Sequence, residues 1–239
     1  MPKVHQPKDN HLLAMLPETE WERMAPHLVD VDMPLGQVVY ESGDPVHHVY
    51  FPSTAVVSLL YVMEDGASAE IAIVGNEGLI GIAVFMGGET TSSRAVVQNA
   101  GRGYRIGARI LRDEFHRGGP VQRLLLRYTQ ALIAQMVQTA ACNRHHSIDQ
   151  QLCRWLLLSL DRLPSNERRM TQGLIANMLG VRRSGVTEAA LKLQRAGLIR
   201  YSQGYIEVLD RPGLEGRVCE CYRVVKRESD RLLPDLEAL

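Results

Sequence analysis

The chain has 239 residues, of which 45% are hydrophobic and 23% charged, and its 27 Lys and Arg residues balance its 27 Asp and Glu residues. This composition is ordinary for a globular protein, and the length suits one large or two modest domains that bury a real core. The absence of an apolar run of about 18 residues excludes a transmembrane helix. The N-terminus lacks the apolar core and cleavage site of a secretory signal, so we expect a cytoplasmic protein with no membrane partner.

The charge is unevenly distributed along the chain. Residues 1–120 carry 9 Lys and Arg against 15 Asp and Glu, whereas residues 121–239 carry 18 against 12. An acidic half joined to a basic half indicates that the second half meets a polyanion.

Short β-branched or aromatic runs, each closed by a turn signal, follow a short N-terminal helix. Thr19 and Glu22 have the spacing of a capping box and predict the start of that helix. The turn signals after it are Gly36, Gly43-Asp44-Pro45, Asp65-Gly66 and Gly75-Asn76. Strands at this spacing predict an antiparallel barrel or sandwich, with Asp65-Gly66 at the tip of a hairpin.

From Pro120 the pattern becomes that of a long helix that is apolar on two sides. One face, which we assign to the seam of a homodimer, consists of Val121, Leu125, Tyr128, Leu132, Met136 and Thr139. The apolar residues off that face are Leu124, Ala131, Ile133 and Val137. Such a helix must be covered twice, by its own β domain and by a second surface, for which a twin helix is the simplest choice. The alternative is a central helix buried between two domains of one chain.

A second amphipathic helix follows, with Ser147 as its cap and Pro164 as its end. Thr171 then caps a helix that Gly180 closes at positive φ, and Ser184 begins or caps the next helix. The stretch "LIRYSQGYIEV" predicts two short strands around Gly204. Two helices joined by a glycine turn and followed by a hairpin predict a winged helix-turn-helix.

The polar face of the second of these helices has the residue types that a DNA reader requires. Arginine at the start of a recognition helix pairs with guanine edges, Glu188 can accept from a cytosine amine, and Lys192, Arg195 and Arg200 suit phosphates. We expect contacts to double-stranded DNA from Thr171, Arg182, Arg183, Ser184, Thr187, Glu188 and Lys192. The alternative is a solvated helix pair of some other domain.

The segment "TQGLIANMLGVRRSGVTEAALKLQRAGLIRYSQGYIEV" closely resembles the winged helix-turn-helix of the Crp/Fnr superfamily of bacterial transcription regulators. The resemblance extends over nearly the whole chain. It implies an α+β protein with an antiparallel β-roll of the cyclic-nucleotide-binding type in residues 1–118, a dimerisation helix in 119–146 and a winged domain with an extra C-terminal helix in 147–239. It also implies a non-enzymatic homodimer that reads a two-fold operator through Arg183, Ser184 and Glu188, with RNA polymerase as a further partner.

The segment "GLIGIAVFMGGETTSSRA" matches the ligand site of that family with one part missing. Members that bind cyclic AMP have Gly-Glu-Leu and then Arg-Ser-Ala or Arg-Thr-Ala, whereas this chain has Gly81-Ile82-Ala83 and Arg94-Ala95-Val96. We assign a ligand site at Gly81, Ile82, Arg94 and Ala95. The lost carboxylate leaves a ribose hydroxyl unpaired, which argues against cyclic AMP unless Glu77 or Glu89 substitutes. Arg94 serves a different small anionic effector, or it forms a salt bridge within the roll; no cofactor is required.

The four cysteines are Cys142, Cys153, Cys219 and Cys221. In a cytoplasmic chain we expect no disulfides, and this spacing matches neither a zinc nor an iron–sulfur site. In a helix the side chains of Cys219 and Cys221 diverge by about 200°, so we expect no metal site. Residues available as haem ligands, which we expect to be mostly solvated, are His47, His48, His116, Cys142, His145 and His146.

Two other functions and one structural question stay open at this point. A cupin-like metal enzyme with a helical appendage would need converging histidines, but His47 and His48 are neighbours and neighbours on a strand point to opposite faces. A winged-helix module for protein contacts is the second rival. The stretch "GLEGRVCECYRVVKRESDRLL" predicts an added helix that extends the dimer or covers the winged domain.

Overall fold

The structure is a computed structural model that describes residues 5–162, 167–202 and 204–233. It opens with two short helices and two single 3-10 turns, namely Pro7–Asp9, α1 (His11–Ala14), α2 (Glu18–Met24) and Ala25–His27. The predicted capping box is wrong, because α2 begins directly after the extended Pro17 and Thr19 therefore lies inside the helix.

Seven strands form the antiparallel roll that the turn signals predict. They are β1 (Val29–Met33), β2 (Val38–Tyr40), β3 (His48–Pro52), β4 (Val56–Val62), β5 (Ser68–Val74), β6 (Arg94–Asn99) and β7 (Gly101–Gly107). One sheet has the order β1-β7-β3 and the other β2-β6-β4-β5. The β4–β5 hairpin turns where the sequence predicts it: Gly66 has φ +84, and Asp65 accepts a hydrogen bond from the Ala67 amide.

Strand β4 is buried on both of its faces. Val57 and Leu59 belong to the core inside the roll, whereas Val56 and Leu60, which alternate with them, belong to a second core outside it. Side chains alternate across a strand, so this one strand divides its apolar residues between two cores. The second core is made mostly by the C-terminal helices.

A short helix, α3 (Ala83–Met86), lies between β5 and β6 of the roll, and two helices, α4 (Ala108–His116) and α5 (Gly119–His145), connect the roll to the C-terminal half. Helix α5 is fixed to the roll by buried hydrogen bonds. The Tyr128 hydroxyl donates to the Leu79 carbonyl at 2.7 Å, and the Ile73 amide donates to Gln135 Oε1 at 2.7 Å. Burial raises the pKa of Tyr128, so the hydroxyl keeps the proton that it donates.

The structure corrects the predicted dimer seam. Val121, Leu125, Tyr128 and Leu132 pack into the core of their own roll, with Met136 against it, and Thr139 is buried as well. The five buried side chains have almost no surface left for a partner, and Met136 is half-buried. The large apolar side chains that α5 leaves exposed lie on another face: Leu126 is 47% exposed, Ile133 49% and Val137 64%.

The C-terminal half contains three strands and five helices in its described residues. They are α6 (Ile148–Leu160), β8 (Glu167–Arg169), α7 (Gln172–Leu179), α8 (Arg183–Arg195), β9 (Ile199–Ser202), β10 (Tyr205–Val208), α9 (Arg211–Arg217) and α10 (Glu220–Leu232). Ser147 caps α6 and forms a capping box with Gln150, which confirms the predicted start. The predicted end at Pro164 lies outside the described residues.

The C-terminal half packs directly on the roll. Ile73 of β5 shares the second core with Leu156 of α6 and Leu179 of α7. Beside this core, Arg162 Nε lies 2.6 Å from Glu77 Oε1 in a largely buried ion pair. The winged domain therefore has a defined position against β4 and β5.

The predicted added helix is in fact two helices, α9 and α10. Helix α10 packs along α5 of the same chain, and Tyr222 in its first turn hydrogen-bonds Asp161 just after α6. It thus covers the junction of α5 and α6. None of the described helices combines the length and the apolar character that crossing a bilayer requires.

Gly180 provides a test of the turn between α7 and α8. Its φ is +65, and a Cβ added there would lie 3.1 Å from Ala69 Cβ. We expect Gly180→Ala to lower the free energy of unfolding by about 1–2 kcal/mol, because the left-handed conformation disfavours a side chain. Urea denaturation measures the change.

Gly216→Ala is the matched control, because Gly216 lies in α9 without a positive φ and with open space around an added Cβ. Removing a helical glycine there should leave stability unchanged or raise it by up to about 1 kcal/mol. Equal effects of the two substitutions would contradict the role given to Gly180.

Candidate DNA-binding surface and effector region

Helices α7 and α8 form the predicted helix-turn-helix. The Thr171 hydroxyl accepts a hydrogen bond from the Leu174 amide at 3.2 Å and caps α7. Gly180 ends α7 in the left-handed conformation, as its position in the sequence predicts. Helix α8 begins at Arg183 with Arg182 as its N-cap, so Ser184 belongs to the first turn and is not the cap.

Helix α8 separates an apolar face from a polar one. Its buried side chains are Val186, Ala189, Ala190 and Leu193. Its exposed predicted DNA contacts are Arg182, Arg183, Ser184, Glu188 and Lys192. Two arginines at the amino end of an exposed helical face match the placement of base-reading residues on a recognition helix.

Besides Thr171, three of the predicted contacts, Thr187, Glu188 and Lys192, have partners within the chain. Thr187 Oγ1 lies 2.7 Å from Gln172 Oε1 and 3.0 Å from the Arg183 carbonyl, so it helps to set the angle between α7 and α8. Lys192 Nζ lies 3.1 Å from Glu188 and 3.5 Å from Asp149. The hydrogen bond that the Lys192 ammonium donates to Glu188 is the main cause that raises the pKa of Lys192, so the ammonium stays charged.

The wing has one strand more than the sequence predicts. Strands β9 and β10 flank Gly204, as expected, and β8 pairs with β10 on the far side to complete a three-stranded sheet. Tyr201 fastens the sheet to the start of α7 by donating to the Met170 carbonyl at 2.9 Å. Three residues without alternation or a turn signal are too short a pattern to predict β8 as a strand.

The four residues assigned to the ligand site have very different environments. Gly81 is buried with φ +109, and an added Cβ would lie 3.2 Å from Val46 Cγ1. Ile82 is the N-cap of α3, and Ala95 is buried in the core of the roll. Arg94 is 37% exposed, with its Nε 3.1 Å from Glu41 Oε2. Among these four residues, only Arg94 has a charged side chain that could bind an anionic ligand.

Both carboxylates considered as substitutes for the missing acceptor are bound elsewhere. Glu77 accepts from the Gly75 amide and pairs with Arg162. Glu89 pairs with Arg112 at 3.0 Å. In both carboxylates, a cation of the protein already uses part of the capacity to accept hydrogen bonds.

A group of metal-ligating side chains lies outside both predicted sites. The ligand atoms of Cys142, His146, Cys219 and Cys221 all lie within 4.8 Å of one another. The expectation that the side chains of Cys219 and Cys221 diverge is therefore wrong, because both lie beside Cys142 and His146. Over residues 5–162, 167–202 and 204–233 this is the one such group, and it lies at α5 and α10, whereas the cupin-like alternative requires ligands in the roll.

An antiparallel roll followed by a long helix and a winged helix-turn-helix defines a class of transcription regulators that combine a sensor-type fold with a DNA-binding fold. Residues 31–117 match the cyclic nucleotide-binding domain, and residues 150–217 match the Crp-like helix-turn-helix domain. Together these matches span well over half of the chain, in this order. The chain belongs to the Crp/Fnr family of transcription regulators.

Solved structures of this family have the same fold at low identity. A Crp/Fnr-family regulator from Eubacterium rectale has a TM-score of 0.70 at 17% identity, over 89% of this chain and 97% of that one. FixK2 from Bradyrhizobium japonicum has a TM-score of 0.66 at 16% identity, over 80% and 98%. The c-di-GMP-responsive regulator CLP from Xanthomonas campestris has a TM-score of 0.63 at 16% identity, over 81% and 100%. No curated protein matches the sequence.

The Arg94–Glu41 ion pair is partly exposed, so its contribution to the free energy of unfolding can be tested. We expect Arg94→Ala to change the free energy of unfolding by less than about 1 kcal/mol, because exposed ion pairs contribute little. Arg162→Ala should cost about 3 kcal/mol or more, because it leaves the largely buried Glu77 without its cation. Chemical denaturation of both variants checks this difference, and a large loss in Arg94→Ala would assign Arg94 to the fold instead of to a ligand.

Proposed function

We propose that this regulator is a homodimer that reads a two-fold operator with the amino ends of its two α8 helices. The observation that carries the proposal is the exposed polar face of α8, which begins at Arg182 and Arg183 and is held in place by the Gly180 turn. The half-sites would lie one helical turn of DNA apart, ~34 Å. The division that this function uses is a roll in residues 1–118, a dimerisation helix in 119–146 and a winged domain in 147–239.

The exposed side chains of α8 divide into base readers and phosphate contacts. Arg183 is the principal base reader, because a guanidinium pairs bidentately with guanine O6 and N7. Arg182 and Ser184 are its neighbours in the chain, Glu188 would accept from a cytosine amine, and Thr171, the N-cap of α7, would be a further contact. Lys192 is further along the helix and suits a phosphate, which adds affinity without sequence information.

A stripe on α5 supports the dimer. Exposed residues recur in steps of three and four, namely Arg123, Leu126, Gln130, Ile133, Val137, Ala140 and Arg144. This is the spacing of a coiled-coil seam, with apolar residues in the middle and arginines at both ends. Pairing of two α5 helices along this stripe would cover the large apolar side chains of α5 that the single chain leaves in water, namely Leu126, Ile133 and Val137.

The roll would control the pose of the winged domains. A small anion that binds Arg94 would have to displace or share Glu41, and it would shift the equilibrium between states of the dimer. Strand β4, which belongs to both cores, provides a packed connection between the roll and the DNA-binding helices. RNA polymerase would be the further partner through which operator binding changes transcription.

Arg183→Ala tests the reading of the operator. With an operator selected from random duplexes, we expect the preference for operator over random DNA to fall by about 1–3 kcal/mol for each half-site, because a bidentate base contact is lost. Fluorescence anisotropy at one fixed salt concentration measures both affinities. Arg109→Ala is the control of equal charge, because Arg109 is 95% exposed on α4 of the roll. Unchanged discrimination in Arg183→Ala would contradict the assigned role.

Ile133→Glu tests the dimer seam. Two glutamates facing each other across an apolar seam would be desolvated and repel, so we expect a dimer that dissociates at micromolar concentration. Sedimentation velocity measures the mass. Met63→Glu is the control, because Met63 is comparably exposed in the β4–β5 turn and should leave the dimer intact. An unaltered dimer in Ile133→Glu would exclude this stripe as the seam.

A further inference from the structure

A group of potential metal ligands lies apart from the DNA-binding surface. It consists of Cys142, His146, Cys219 and Cys221, and we call it the thiol cluster. It joins the carboxyl end of α5 to the amino end of α10. All four of its residues lie outside the two matched domains, which cover residues 31–117 and 150–217. The proposed reading of DNA does not use it.

Local backbone geometry brings the four ligands together. Cys142 lies in the last turn of α5, and His146, the extended C-cap of that helix, donates its backbone N–H to the Cys142 carbonyl at 3.0 Å, so the two residues are one turn apart. Cys219 is the N-cap of α10, with extended backbone at φ −70 and ψ 166, and Cys221 is the second residue of the helix. The divergence of about 200° expected for a helical Cys-x-Cys does not apply, because only one of the two cysteines is helical.

The distances in the thiol cluster match one tetrahedral ion. Cys142 Sγ lies 3.6 Å from Cys219 Sγ, and Cys221 Sγ lies 3.4 Å from His146 Nδ1. Zinc–sulfur bonds of about 2.3 Å and zinc–nitrogen bonds of about 2.0–2.1 Å give tetrahedral edges of about 3.8 Å between sulfurs and about 3.6 Å between sulfur and nitrogen. No ligand atom is more than 4.8 Å from another, which leaves room for one ion and too little for a cluster with two irons.

Residues next to the cluster orient its ligands. His146 directs Nδ1 toward the sulfurs, while its Nε2 lies 3.3 Å from Glu220 Oε2. This is the arrangement of a carboxylate, a histidine and a zinc ion in which the carboxylate fixes the ring and its tautomer. Gln138 Nε2 donates to Cys221 Sγ at 3.0 Å, as outer partners of zinc thiolates do.

The surroundings suit a structural ion. The three cysteines are free and almost fully buried, and Thr139 accepts a hydrogen bond from the buried guanidinium of Arg154, which acts electrostatically on Cys142. Three thiolates, one neutral imidazole and Zn²⁺ sum to a single negative charge, which this cation offsets. Four protein ligands leave no open coordination position, which is characteristic of structural and not catalytic zinc.

We propose that Cys142, His146, Cys219 and Cys221 bind one Zn²⁺ ion that fastens α10 to the end of α5. The site lies directly before Ser147, where α6 begins and the chain enters the winged domain. Metal binding would therefore fix the angle at which α5 meets α6, and it would release protons from the thiols that become ligands.

Metal analysis of the full chain, purified without an affinity tag that binds metals and under anaerobic conditions, tests the proposal. We expect one zinc per chain by inductively coupled plasma mass spectrometry. Replacement by Co²⁺ should give the sulfur-to-cobalt charge-transfer bands and the intense d–d bands of a tetrahedral thiolate site. These measurements use the unaltered protein, so they do not depend on how any variant folds.

Variants at His146 and Cys153 distinguish ligation from a general loss of structure. His146→Ala should lower zinc affinity by more than the ~10–100-fold that loss of an outer partner costs, whereas His146→Cys supplies a fourth thiolate and should keep the metal. Cys153→Ala is the control, because Cys153 is the one cysteine of the chain outside the cluster. It should keep one zinc per chain.

Three results would overturn the proposal. The first is a folded, reduced chain that contains no zinc and gives no tetrahedral cobalt spectrum. The second is iron with acid-labile sulfide in place of zinc, and the third is a Cys142–Cys219 disulfide in protein kept under reducing conditions. Retention of zinc by His146→Ala at unchanged affinity would remove His146 from the ligand set and also contradict the site as proposed.

Discussion

The burial of β4 on both faces is the constraint on which the arrangement of this molecule depends. An antiparallel strand in a roll ordinarily has one face in the core and one face in water. Here Val57 and Leu59 fill the roll, while Val56 and Leu60 fill the core beneath α6 and α7. A change of register by one residue would exchange these two sets. Both cores are therefore filled correctly only by a single pairing of β4 with its neighbours.

Signals that act within a few residues predicted much of the fold. Gly180, the Asp65-Gly66 turn and the Ser147 cap each need only local geometry, and the structure has them where the sequence places them. The sequence also predicts the polar face of α8, because the spacing of the apolar residues identifies the buried side of the helix. The resemblance to the Crp/Fnr family then supplied the order of the domains, which periodicity alone does not give.

The predictions that failed depended on contacts between distant segments. The pattern of α5 shows two apolar faces, but it does not say which of them the roll covers, so it favours a partner over the roll for Tyr128 and Leu132. The convergence of the cysteines required two facts that spacing lacks, namely that α10 packs on α5 and that Cys219 lies outside the helix. The spacing of Cys142 and His146 and a Cys-x-Cys ahead of an amphipathic helix were the available signals.

The segment from Gly75 to Gly81 is bonded to α5 and to the end of α6, the two helices that connect the roll to the winged domain. Glu77 is held by Arg162 next to α6, and Leu79 accepts from Tyr128 of α5. An effector that displaced Gly81 would disturb both the Glu77–Arg162 ion pair and the Tyr128–Leu79 hydrogen bond. A movement of α5 and α6 on an operator would disturb the same two interactions. Coupling between two binding equilibria is reciprocal. Under the proposed function, the operator would itself be a ligand that sets the affinity of the roll for its effector, and the occupancy of the roll would depend on how much target DNA a cell contains.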